Sequence, residues 1–219
     1  MTTRFRNRTE AGEVLAGRLG TYSDFPDVVV LALPRGGVPV AAQVADRLNL
    51  PLDVFVVRKL GLPGHAELAM GAIASGGVRV LNSEVLHALR VPPDVIEQVA
   101  ENEGRELERR EMEYREGRPP PDVQGRTVIL VDDGIATGSS MAAAIAALRK
   151  LEAGRIIVAT PTIASSTFNE LARAADDIVA VIVADDFFGV GQWYDDFRQT
   201  TDEEVRELLH VAHATHATP

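Results

Sequence analysis

Cysteine is absent from the 219 residues, which excludes disulfides, thiolate metal sites and a thiol nucleophile and fits a reducing compartment. Long hydrophobic runs are absent too: no stretch reaches the roughly 18 apolar residues of a membrane span. The first residues, with Arg4, Arg6 and Arg8 around Phe5, lack the apolar core of a secretory leader. A cytoplasmic protein with no membrane partner is the expectation. Positive charge is scarce, at 22 Lys and Arg against 32 Asp and Glu, for a net charge of −10 and a pI near 5.0. That balance argues against nucleic-acid binding, which relies on cations that displace condensed counterions. An anionic small molecule would need local cations instead, so basic residues at the ends of strands become informative. What is present is ordinary globular material, 46% hydrophobic and 25% charged, enough for one α/β domain with a sizeable core.

The chain is organised around Thr127 to Met141, TVILVDDGIATGSSM. Val128 to Val131 is an unbroken apolar run, the pattern of a strand buried on both faces of a parallel sheet. Asp132 and Asp133 follow at once, which places them at the carboxyl end of that strand, where open α/β sheets bind ligands. A loop of small residues, Gly134 to Ser140, then enters a run of strong helix formers from Met141 to Leu148. Glycines, hydroxyls and backbone N–H groups at the positive end of a helix suit a phosphate. The two acids would repel that phosphate, so they need a metal or sugar hydroxyls. A diol beside a phosphate cradle describes ribose 5-phosphate.

VILVDDGIATGSS resembles the phosphoribosyl-pyrophosphate (PRPP) signature of type I phosphoribosyltransferases, and the resemblance extends through most of the chain, most closely to uncharacterised bacterial members. It implies an α/β fold with about five parallel strands flanked by helices, a small hood and an inserted hairpin and helix, in one domain over 1–219. It implies that Asp132 and Asp133 hold the ribose hydroxyls and that Ile135, Ala136, Thr137, Gly138 and Ser139 cradle the 5′-phosphate. The activity implied is transfer of the 5-phosphoribosyl group to a nitrogen nucleophile, a nucleobase, with release of pyrophosphate. Mg²⁺ is implied as cofactor, held mainly by PRPP near Asp132 and Asp133 without a firm protein ligand. Members that act on 6-oxopurines carry an Asp where this chain has Ala136, which speaks against hypoxanthine or guanine and leaves the acceptor open. A non-catalytic sensor of PRPP or a nucleotide, with the same fold, is the alternative; a phosphatase or receiver-type use of the two acids would leave ATGSS unexplained.

Elsewhere, Thr9 to Leu19 has a capping Thr and helical spacing of Ala11, Val14, Leu15 and Leu19. Val28 to Leu33 reads as a second buried strand and leads into Pro34-Arg35-Gly36-Gly37, a further anion-binding turn ahead of a helix to Leu48. The resemblance makes this the pyrophosphate loop, with Arg35, Gly36 and Gly37 in contact. Leu52 to Val57 reads as a third strand ending in Arg58-Lys59, two cations suited to pyrophosphate; Arg35 and Lys59 join the two aspartates as catalytic candidates. Leu60 to Ala66 reads as a loop, a lid by resemblance, with His65 and Glu67 in it.

Ala69 to Ile73 and Val78 to Leu81 read as a hairpin. A helical insertion over 83–118 follows, whose charged stretch reads as a solvated helix held by Glu101/Arg105, Glu106/Arg110 and Glu111/Arg115, with a homodimer interface as the other use. Arg155 to Thr160 and Asp177 to Val183 supply two more strands around a helix from Ser166 to Ala175. The aromatic segment 185–200 provides Phe187, Phe188, Trp193 and Tyr194 as candidates to stack on a base, the hood by resemblance. Thr201 and Glu204 make a capping box, and His210, His213 and His216 read as a solvated helix end rather than a metal site.

Overall fold

The computed structural model describes residues 4–216, apart from the side chains of 66, 67 and 216. Five parallel strands form the central sheet in the order β2-β1-β6-β7-β8. They are β1 (Val28–Ala32), β2 (Leu52–Val54), β6 (Thr127–Val131), β7 (Arg155–Ala164) and β8 (Asp177–Ala184). All of β1 is buried, as is β6 from Val128 onward. Helices cover both faces, so these strands carry apolar residues on both sides. Alternate residues serve the two layers. Val30, Ile129 and Ile157 face α1 (Arg8–Arg18), α2 (Gly37–Leu48) and α7 (Asp202–His216), while Leu31, Leu130 and Val158 face α5 (Ser139–Lys150). α6 (Ser165–Leu171) sends Leu171 and, partly, Phe168 into that second layer and ends four residues earlier than its sequence suggests.

The expected third strand is two strands in two sheets. β2 stops at Val54, and the Val56 N–H donates to Ser75 Oγ (2.8 Å) as the chain turns away from the parallel sheet. It continues as β3 (Val57–Leu62), which pairs antiparallel with β4 (His65–Ala74), and β4 pairs with β5 (Val78–Leu81). The stretch expected as a loop over 60–66 is therefore mostly strand around a tight turn at Pro63 and Gly64. Gly61 misleads because it sits where the β3–β4 register slips, while Gly64, at φ 80°, does make the turn; in β4, Gly71 lies where a Cβ would meet the Val80 carbonyl oxygen at 2.2 Å. The side chain of Glu67 lies outside the described residues.

α3 (Ser83–Leu89) and α4 (Pro93–Arg115) form the insertion. α4 lies across β3, β4 and α7 and is not simply solvated: Ala100, Leu107, Tyr114 and Arg115 are buried. Arg115 is 2% exposed. Its guanidinium donates to Asp53 Oδ1 (3.0 Å), Glu111 Oε1 (2.7 Å) and the Val54 carbonyl (2.7 Å), which satisfies the buried charge. Glu106 pairs with Arg110 as expected, but Arg105 turns to the Glu101 carbonyl and to Asn102. The cap of α1 is Asn7 rather than Thr9: Asn7 Oδ1 accepts from the Glu10 N–H at 3.0 Å. The capping box forms at the start of α7, with reciprocal bonds between Thr201 and Glu204 at 3.1 and 2.8 Å.

Candidate functional site

Parallel pairing sets the site. β1 and β6 are adjacent and in register, so the loops that follow them emerge side by side at the carboxyl edge of the sheet. From β6 come Asp132 and Asp133, and from β1 the turn at 34–37. The two loops touch. A Cβ on Gly36 would fall 2.1 Å from Asp133 Oδ2, and one on Gly37 would fall 2.7 Å from the Val131 carbonyl oxygen. Only glycine lets the turn lie on the acidic pair. Arg35 extends from this turn, partly exposed, with Nη1 3.6 Å from Asp202 of α7.

The two carboxylates are held differently. Asp132 Oδ1 accepts the Asp133 N–H at 2.9 Å and has no ion pair among the described residues. Asp133 Oδ2 accepts from Arg8 Nε at 2.7 Å, with both side chains 11% exposed. Arg8 also donates to the Arg198 carbonyl (2.7 Å), and its guanidinium carbon lies 4.1 Å from the centre of the Phe197 ring. The Tyr194 hydroxyl donates to the Asp133 carbonyl at 2.6 Å. Burial, and then the charge of Asp133, raises the pKa of Asp132 well above the usual carboxylate range. Burial also raises Asp133, opposed by Arg8. Burial raises the Tyr194 hydroxyl as well, so it stays protonated and donates.

Beyond the acids, Gly138 adopts φ 71° and starts α5, where a left-handed residue is cheap only for glycine. The turn before it splits in two. Ile135 is buried, its N–H donates to the Thr162 carbonyl (2.9 Å) and its carbonyl accepts from Ala164 (3.0 Å). Both backbone groups of this expected cradle residue bond to β7. Ala136 is fixed from below by Thr167, whose hydroxyl donates to its carbonyl. Thr137 and Ser139 are exposed, with their hydroxyl oxygens 3.3 Å apart. The surface open to a ligand is thus Ala136 to Ser139 at the α5 N-terminus.

Arg58 and Lys59 do not act as a pair, because successive residues of a strand point to opposite faces. Arg58, expected at the pyrophosphate, forms an ion pair with Glu103 of α4 (2.6 Å). Lys59 lines a cleft of about 420 Å³ between β3–β5 and α5, opposite Ser139 and Ser140. A second cleft, of about 310 Å³, is lined by Arg8, Arg35, Gly36, Asp133, Phe197, Gln199 and Thr200. Of the aromatics, Phe188 is 93% exposed, and Phe187 packs near Trp193 at 6.0 Å. Tyr194 is buried between Phe5 (5.6 Å) and Phe197 (5.1 Å), so it offers no open face to a base. Among the described residues no three His, Asp or Glu side chains converge to hold a metal. With Asp133 Oδ2 committed to Arg8, the donor set fits an Mg²⁺ carried mainly by ligand oxygens, with Asp132 the nearest acid.

The family model described as a phosphoribosyl transferase domain matches residues 64–195. The chain belongs to this family. This phosphoribosyl transferase domain is 42% identical to TT1426 from Thermus thermophilus, whose crystal structure superposes with a TM-score of 0.83 over 94% of this chain and 97% of that one. Two Mycobacterium tuberculosis proteins, from strains CDC 1551 / Oshkosh and ATCC 25618 / H37Rv, are each named "Putative phosphoribosyl transferase" and are 44% identical over 209 residues, 95% of this chain. The chain spans about half the length of these curated relatives, 47% of each. No helix among its described residues is long and apolar enough to cross a membrane.

Arg8 is the site residue that the sequence reading missed. An acidic pair inside an acidic chain demands a cation, and the basic residue nearest in sequence, Arg126, donates instead to the carbonyls of Pro26 and Val28; the alternation Arg4, Arg6, Arg8 was the available signal, read only against a secretory leader.

Proposed function

We propose that this phosphoribosyl transferase domain transfers the 5-phosphoribosyl group of PRPP to a nitrogen of a small acceptor, a nucleobase, and releases pyrophosphate. The carrying observation is the layout along one sheet edge: a turn of exposed small residues at a helix N-terminus, two acids, and a Gly-Gly turn with an Arg pressed against them. Phosphate, diol and pyrophosphate follow one another in PRPP in the same order. Ala136 to Ser139 bind the 5′-phosphate through backbone N–H groups and hydroxyls. The acids at 132 and 133 face the ribose hydroxyls, and Arg35, Gly36 and Gly37 bind the pyrophosphate. Lys59 reaches the phosphate end from the opposite side, and Phe187, Phe188 and Trp193 stand where a planar acceptor is received.

In the reaction the bond from ribose C1 to the pyrophosphate oxygen breaks, a bond from C1 to the acceptor nitrogen forms, and the nitrogen gives up its proton. Positive charge develops on the ribosyl centre and negative charge on the leaving oxygen, so catalysis is mainly positional and electrostatic. The acids stabilise the ribosyl cation and Arg35 the departing pyrophosphate. Mg²⁺, when bound, would add charge neutralisation at the pyrophosphate, held mainly by PRPP oxygens near Asp132 and Asp133. The β3–β4 turn excludes water from PRPP. Residues 1–219 act as one cytoplasmic domain in this reading, with 83–118 as an insertion that a second copy uses to dimerise and 185–200 as the hood.

Pyrophosphate release from PRPP and Mg²⁺, assayed across purines, pyrimidines and small amines with calorimetric PRPP binding on the same sample, tests this. Release with one acceptor is expected. Tight binding without release turns the domain into a sensor, and no binding overturns the site.

A further inference from the structure

Two adjacent aspartates at the end of one strand invite equal roles, yet their surroundings differ. Asp133 is confined on three sides. Arg8 holds its Oδ2 at 2.7 Å, Tyr194 holds its carbonyl at 2.6 Å, and Gly36 leaves no more room than a hydrogen atom needs. Asp132 accepts the neighbouring N–H on Oδ1 and lies beside the Asp133 carboxyl, but it has no ion pair among the described residues. Arg8 in turn is held at two of its nitrogens and at its face. It bonds Asp133 through Nε and the Arg198 carbonyl through Nη1, and its planar face lies 4.1 Å from the centre of the Phe197 ring. That is a task for a planar, forked cation and not for a lysine. The two residues it joins are separated from it by 125 and 190 positions, so one side chain registers both the acidic pair and the 194–200 segment.

We propose that Arg8 is a positioning residue of the ribose site, which holds Asp133 as a fixed anchor so that Asp132 alone presents its carboxylate to the ribose hydroxyls. Without Arg8, Asp133 becomes a loose negative charge beside the pyrophosphate turn and opposes PRPP. The inference rests on the reading of this site as a PRPP site.

Calorimetric PRPP titration of the wild type, Asp132→Asn, Asp133→Asn, Arg8→Gln, Arg8→Lys and the double variant Arg8→Gln/Asp133→Asn tests it, with thermal melts to confirm folding. A hydrogen bond to a charged group is worth about one to two powers of ten in affinity. Asp132→Asn is therefore expected to weaken PRPP binding about a hundredfold, and Asp133→Asn about tenfold less than that. Arg8→Gln is expected to weaken it about tenfold, Arg8→Lys to recover only part, and the double variant to bind better than Arg8→Gln alone. That rescue separates positioning from support of the fold, which a second substitution would not repair. If Arg8→Gln fails to fold, the comparison of the two aspartates decides. Equal losses at the two aspartates, or no rescue in the folded double variant, overturn the assignment while leaving the PRPP site standing. A wild type that does not bind PRPP overturns the site reading and this inference with it.

Discussion

Gly36 and Asp133 are in contact through a position that has no side chain: a Cβ on Gly36 would lie 2.1 Å from Asp133 Oδ2 and 2.7 Å from its Cγ. Nothing flexible stands there to give way, since Arg8 pins the carboxylate. Gly36→Ala is expected to push Asp133 off Arg8, at a cost of about 1–3 kcal/mol for the clash. PRPP affinity should fall with it, read by calorimetry. Gly17→Ala is the control. It lies in α1 with nothing within 4 Å of a Cβ, and should raise stability by about 0.5–1 kcal/mol, as alanine for glycine does within a helix.

Asp132→Asn should make the protein more stable while it weakens the site. Burial and Asp133 raise the folded pKa of Asp132, so the folded state binds a proton that the unfolded chain releases. Stability therefore falls as pH rises from the unfolded carboxylate pKa through the folded one, and the full cost is present above it. Removing the charge removes that cost. Thermal melts should show Tm of Asp132→Asn above wild type at neutral pH, with the gap closing in acid; a Tm equal to or below wild type at every pH would contradict the raised pKa.

Glu106 has the opposite sign. Hydrogen bonds from Arg109 and then Arg110 lower its carboxyl to about 2. A depressed folded pKa contributes stability that is present above the unfolded value and is lost as pH falls through the folded one. Glu106→Gln should remove part of the acid sensitivity between about pH 4.5 and 2 and leave the melt at neutral pH less stable. Because the pair is exposed, salt should shrink the difference.

Arg115→Ala is the most damaging single change expected outside the site. It strips Asp53 of its partner inside the protein, and breaking a buried ion pair costs about 3–5 kcal/mol. Chemical denaturation should show it. Asp53→Asn combined with Arg115→Met should cost less than the sum of the two single changes, as coupled neighbours do.

Where both faces of an element are buried, the sequence was legible. VVVLA and TVILV are apolar throughout because helices cover both sides of the sheet, and the acids, the Gly-Gly turn and ATGS fall at strand ends that follow from those runs. Residues 52–66 were harder. Leu52 to Val57 is apolar but for Asp53, so periodicity could not say that the chain changes sheets after Val54, and Gly61 and Gly71 serve a register slip and a close approach rather than a loop. Ile135 read as a cradle residue because a bridge to β7 is not visible locally. The contacts of Arg58, Tyr194 and Arg8 were not legible for a shared reason: their partners, Glu103, Phe5 and Asp133, lie 45 or more positions away. An aromatic or an arginine carries no mark of which distant group it will meet.

The reach of Arg8 has a consequence for how the protein is made. Its partners are Asp133 and the carbonyl of Arg198, and Phe5 beside it pairs with Trp193 and Asp195 through the backbone. A ribosome delivers Arg198 190 residues after Arg8, and closing so long a loop is slow compared with forming local helices. The parallel core can gather while synthesis proceeds, but the binding edge cannot close until residue 198 has emerged. Nascent chains released just short of residue 198 should therefore resist proteolysis through the sheet and yet leave residues 4–8 open to cleavage.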